Sequence, residues 1–145
     1  MPLTTFGAIM GFAAEMAGKA SEIYNILARK AGDSALKGIL EVLSAEEKKN
    51  HALMVQARRE NVTEMILEPV AGLHQEDYEV ELKVLDQMED ADLLKGAFIL
   101  EERGKKFFRE VSSKVPLPEV ARIFRKIAQK KEENLARLLS LRLKE

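Results

Sequence analysis

The chain has 145 residues, with 23 Lys and Arg against 24 Asp and Glu, 46% hydrophobic residues and no cysteine. That length suits one domain with a sizeable core. A net charge of −1 with interspersed signs lacks the basic stripe of a nucleic-acid-binding protein. Without cysteine there is no disulfide framework, iron–sulfur cluster or thiolate metal site. The longest uncharged run, Met1–Ala14, is too short to span a bilayer and has no basic start like that of a signal peptide. The expectation is a single cytoplasmic domain, residues 1–145, with no nucleic-acid or membrane partner.

Glycine and proline are sparse, so long helical patterns dominate. The first runs over about 5–31 and is closed by Gly32-Asp33-Ser34. Asp33 or Ser34 can cap the second, about 34–61. The segment 62–89 is too long for a tight turn. Within it Leu82, Leu85 and Met88 hint at a short helix, while Val80, Leu82 and Val84 alternate like a strand. Asp90 or Asp92 can cap the third helix, about 90–113. Pro116 and Pro118 then interrupt, and Pro118 suits the first turn of a fourth helix over about 118–144. Four long helices with two short loops and one long connection predict two antiparallel helical hairpins joined by a crossover, an all-α four-helix bundle.

A weak internal repeat fits that arrangement. Phe12, Glu15 and Gly18 align with Phe98, Glu101 and Gly104. After a two-residue difference in loop length, Leu36, Leu40, Leu43, Glu47 and Asn50 align with Val120, Phe124, Ile127, Lys131 and Asn134.

Polar residues on the apolar stripes carry the chemistry. Glu47 and Asn50 interrupt the stripe Leu36-Leu40-Leu43-Met54-Ala57. Glu101 interrupts Leu94-Ala97-Gly104-Phe108-Val111, and Lys131 and Asn134 interrupt Phe124-Ile127-Leu135-Leu138. In the first helix, apolar nearly all round, Glu15 lies among Ala8, Phe12, Gly18, Ile23 and Ile26. Each helix is thus expected to send an ionisable group inward, where such groups survive only when paired or bound to metal.

These segments, in this order, resemble the rubrerythrin-like branch of the ferritin-like superfamily over nearly the whole chain. Glu15-Met16-Ala17-Gly18 with Tyr24 looks like the first-helix motif, and Glu101-Glu102-Arg103-Gly104 with Phe107-Phe108 like the third. Leu43-Ser44-Ala45-Glu46-Glu47-Lys48-Lys49-Asn50 and Ile127-Ala128-Gln129-Lys130-Lys131-Glu132-Glu133-Asn134 occupy the places of the second and fourth. The resemblance implies a ferritin-like bundle holding two irons by a Glu from each of two helices and a Glu-x-x-His from each of the others. It also implies peroxide reduction or iron oxidation. The chain is expected to form a homodimer.

The departures from that pattern decide the expectation. Glu15, Glu47 and Glu101 keep the ligand type, but Asn50 and Asn134 stand for the two histidines and Lys131 for a bridging carboxylate. An amide oxygen is a poor substitute for imidazole on iron, and an ammonium has no lone pair to give. Repulsion between that ammonium and a divalent ion at about 4 Å is roughly 8 kcal/mol even at an effective dielectric near 20. The reading is therefore a degenerate site without cofactor, in a non-catalytic binding or structural module. The alternative is a metal-dependent oxidoreductase, reducing peroxide or oxidising iron at Glu15, Glu47 and Glu101, with an altered metal or with one divalent ion (Fe, Mn or Zn) between Glu15 and Glu47.

His51, four residues after Glu47, is a possible extra ligand; its simpler role is a hydrogen bond to a neighbour at the flank of the stripe. His74 reads as a solvated residue of the long connection. The sequence contains no phosphate-binding glycine loop, Gly-x-Ser-x-Gly elbow or His-Glu-x-x-His.

Overall fold

The computed structural model describes residues 2–60, 72–80 and 88–141. They form α1 (Phe6–Lys30), α2 (Ser34–Glu60), α3 (Asp90–Ser112) and α4 (Pro118–Ser140), with a single 3-10 turn at Gln75–Asp77. The fold is an all-α four-helix bundle in which α1 packs with α2 and α3 with α4. Among the described residues the only β pairing is an isolated bridge between Pro2 and His74. The helix or strand signals at Leu82, Val84 and Leu85 fall outside the described residues.

Local chemistry fixes the helix starts. The Thr5 hydroxyl accepts from Ala8 N–H at 3.0 Å, and Asp33 Oδ1 accepts from Leu36 N–H at 2.9 Å, so Asp33 rather than Ser34 caps α2. Pro118 occupies the first turn of α4. For α3 the sequence favours Asp90 or Asp92 as the cap, but the N-cap is Glu89. Asp92 Oδ2 turns back to accept from the Glu89 N–H at 3.3 Å. Asp90 has another partner: its two oxygens accept from Gly32 N–H at 2.9 Å and Asp33 N–H at 2.8 Å.

That clamp settles the topology. Asp90 opens α3, and Gly32 and Asp33 immediately precede α2, so α2 and α3 begin at the same end of the bundle. The end of α2 and the start of α3 therefore lie at opposite ends of α2, whose 27 residues extend about 40 Å at about 1.5 Å per residue. The part at 72–80 lies against the N-terminal segment, where Leu3 N–H donates to Leu73 O at 2.8 Å. Tyr78, buried, is held by a 3.0 Å hydrogen bond to Glu110 Oε2 and by edge-on contact with Phe107.

The core has two apolar parts. One gathers Phe6, Ile9, Met10, Met54, Val111 and an edge-to-face series Phe12–Phe107–Phe108–Phe124. The other gathers Tyr24, Leu27, Leu36, Leu40, Leu43, Leu93 and Leu138. On α2, α3 and α4 the residues between the two parts are Glu47, Glu101, Lys131 and Asn134, all buried. A polar layer crosses the bundle at mid-height.

Candidate functional site

Three helices supply the layer, and it is built around one ammonium. Lys131 Nζ donates to Glu47 Oε1 at 2.6 Å and to Glu101 Oε1 at 3.4 Å. Its side chain and those of both carboxylates are at most 5% exposed. Asn50 Nδ2 donates to Glu47 Oε1 at 2.9 Å. Asn134 Nδ2 donates to Glu101 Oε2 at 3.1 Å and to Glu46 Oε2 at 2.9 Å. This fixes the amide: turned over, its oxygen would face two carboxylates. Asn134 Oδ1 is left buried with no partner among the described residues.

The remaining helix, α1, contributes a residue that the stripes did not single out for the site. Tyr24 of α1, fully buried, donates its hydroxyl to Glu101 Oε1 at 2.8 Å, with Ala97 O at 3.2 Å. Its phenol pKa is pushed well up, by burial first and then by the negative charges of Glu101 and Glu47. The tyrosine stays a donor.

Burial also dominates Glu47, whose carboxyl is pushed up despite the nearby Lys131. For Lys131 burial would lower the pKa, but attraction to Glu47 and Glu101 outweighs it and the ammonium is held above its ordinary value. The asymmetry has a simple origin. Lys131 has two carboxylates, whereas Glu47 shares one ammonium with Glu101 and is repelled by it.

Glu15, expected in the centre, is not there. Its side chain is 58% exposed and pairs with Lys19 at 3.1 Å. The buried face of α1 runs through Met10, Ala13, Ala17, Ala20, Tyr24 and Leu27, and Glu15 falls off it. Ala8 and Ile26, which were expected to share its stripe, are exposed. The heptad-like spacing of Ala13, Ala17, Ala20, Tyr24 and Leu27 was the signal that could have placed Tyr24 instead.

His51 does not point at the layer either. Its Nδ1 lies 2.7 Å from Ala14 O on α1, and a Cβ on Gly18 would sit 3.2 Å from the same nitrogen. It bridges α2 to α1. His74 is exposed. Among the described residues no three His, Cys, Asp or Glu side chains gather as a metal-holding group.

Beside the layer lies a cleft of about 300 Å³ between α1, α3 and the segment 75–80, with Glu47 among its lining residues and Glu15, Lys19, Glu79 and Arg103 also around it. A shallower groove between α2 and α4 touches Glu47, Asn50, Lys131 and Asn134 from the other side. No helix among the described residues is long and apolar enough to cross a membrane.

Fold and site together define a four-helix bundle with a buried Glu–Lys–Glu layer braced by two asparagines and a tyrosine. The chain is similar to a solved structure, a hypothetical protein from Pyrococcus furiosus: the two are 25% identical, with a TM-score of 0.68, over 91% of this chain and 84% of that one. No protein-family model matches the sequence, and no curated protein matches it.

Proposed function

We propose that the protein is a rubrerythrin-like bundle whose di-iron site has degenerated into an internal ion-pair layer, and that it serves as a non-catalytic binding or structural module. One observation carries the reading: Lys131 Nζ lies between Glu47 and Glu101, at 2.6 and 3.4 Å. An ammonium there satisfies the carboxylates that the family would turn toward metal.

The remaining donors support the same reading. Asn50 and Asn134 present N–H groups, not lone pairs, to the carboxylates. Glu15 is engaged with Lys19 at the surface. This set does not fit a pair of divalent ions, and no redox step is built on it. Buried ionic groups can specify register at some expense of stability, and a structural role of that kind needs no further chemistry.

Metal analysis tests the proposal. Protein produced with ample iron and purified without chelator is expected to hold far less than two irons per chain and to show negligible turnover of peroxide or ferrous iron. Two stoichiometric irons with an oxo-bridge absorption band would overturn it. A single tightly held iron, manganese or zinc would instead favour the oxidoreductase alternative, with Glu15 and Glu47, which line one cleft, as its ligands.

A further inference from the structure

The buried layer is not electrically closed. Glu47 and Glu101 set two carboxylates against the one ammonium of Lys131, and Asn50, Asn134 and Tyr24 are neutral. Both bonds to Glu47 fall on Oε1, from Lys131 and Asn50. Those two donors flank the α2–α4 groove and do not line the cleft on the opposite side. Glu47 Oε2 accepts no hydrogen bond among the described residues, although Glu47 is only 4% exposed. It is the polar atom that this side chain has left to offer the cleft.

The cleft around it is otherwise apolar in depth and charged at the rim. Phe12, Met16 and Ile23 of α1, Leu100 of α3, and Tyr78 and Val80 form the walls. The cations at the rim are already engaged: Lys19 pairs with Glu15, and Arg103 donates to Asp77 O at 2.8 Å. A volume of about 300 Å³ is at the small end for ligand sites.

We propose that this cleft binds a small amphipathic amine, its ammonium held by Glu47 at the floor and its aliphatic body lying on the apolar walls. A cation in such surroundings is costly unless it meets a counter-charge, and the layer has one negative charge unmatched. An anion would meet that charge instead. The inference rests on the metal-free layer proposed above, because a metal would occupy the same carboxylate.

The test uses three probes of equal chain length: n-hexylammonium, hexan-1-ol and hexanoate. Each is titrated into the full-length protein, with binding followed by amide chemical shifts on α1 and α3. Hexylammonium is expected to shift Phe12, Met16 and Leu100 saturably and to bind about tenfold more tightly than the alcohol, the increment of a charge-assisted hydrogen bond. Glu47→Gln should erase that preference. Met16→Trp, which fills the cleft and spares Glu47, should abolish binding of both and keeps the test decisive if Glu47→Gln does not fold. Equal affinity for the alcohol, tighter binding of hexanoate, or shifts confined to other surfaces would overturn the inference. An iron-free protein that ignores hexylammonium would lose this site while retaining the function proposed above.

Discussion

Gly104 of α3 and Lys131 of α4 are fitted to each other: a Cβ added at Gly104 would lie 2.7 Å from Lys131 Cε and 2.9 Å from its Cδ. The lysine stem crosses the bundle through the space that the missing side chain leaves. Elsewhere the far end of a lysine would swing aside, but this one is buried and tied to Glu47 and Glu101.

Gly104→Ala therefore sets two effects against each other. Alanine gains about 1 kcal/mol over glycine inside a helix, whereas forcing a methyl into a filled core costs about 1–3 kcal/mol. The expected result is a net loss of up to about 2 kcal/mol in denaturant unfolding. In a Lys131→Ala background the obstruction is gone, and the same change should stabilise by up to about 1 kcal/mol. Additive effects in the two backgrounds would show that the stem does not pass Gly104.

Lys131→Met keeps much of the stem and removes the charge. Two buried carboxylates then face each other without a cation, and breaking such a pair costs about 3–5 kcal/mol at pH 7. The pH dependence follows from Glu47, whose carboxyl is already raised by burial and loses the lysine that lowers it. A carboxyl with a raised folded pKa stabilises the fold while protonated. That contribution is full below the ordinary carboxyl pKa and is lost as pH rises through the folded value. The variant should thus recover stability from pH 7 toward pH 5, more steeply than the parent. An unchanged unfolding midpoint at pH 7 would mean that the ammonium contributes nothing.

The chain has two tyrosines, and both are held as donors. Tyr24 is raised by burial and then by Glu101, and Tyr78 by burial and then by its bond to Glu110. Acids raised in this way favour the folded state below their ordinary pKa and cease to do so as pH climbs through the folded value. In an alkaline titration, tyrosinate absorbance should rise together with loss of the helical circular dichroism signal rather than before it. Tyr24→Phe should cost about 1.5–3 kcal/mol, because Glu101 loses a short hydrogen bond in the core.

Much of the layer was legible because α2, α3 and α4 have one apolar stripe each. A charged residue inside a narrow stripe can only point inward, so Glu47, Glu101, Lys131 and Asn134 could be read from spacing alone, and the four helices with their loops followed from glycine and proline. Glu15 and Tyr24 could not be separated that way. Apolar residues ring α1 almost completely, so its phase is set by which face meets α2 and α3. Nor could the α3 cap be read, since Asp90 is recruited by the distant backbone of Gly32 and Asp33. Periodicity cannot see partners that far away in sequence.

The proposed rubrerythrin-like reading can be tested by rebuilding its ligand set, and the position of Glu15 limits how far. Asn50→His, Lys131→Glu and Asn134→His restore three donor types and, with Glu47 and Glu101, bring the set on α2, α3 and α4 to five of the six, with no ammonium among them. Without metal this triple variant should be less stable than the parent, since three carboxylates would converge in a poorly solvated layer. Cobalt(II) should reverse that loss: a ligand that binds only the folded state stabilises by about 2.7 kcal/mol at a hundred times its dissociation constant. One cobalt per chain with visible absorption bands is the expected outcome. A second ion should bind much more weakly, because Glu15 lies outside the layer on Lys19. Adding Glu15→Gln should then leave the first ion's affinity unchanged. A triple variant that folds and still takes up no cobalt would show that Asn50, Lys131 and Asn134 do not occupy ligand positions, and the rubrerythrin-like reading would fall with them.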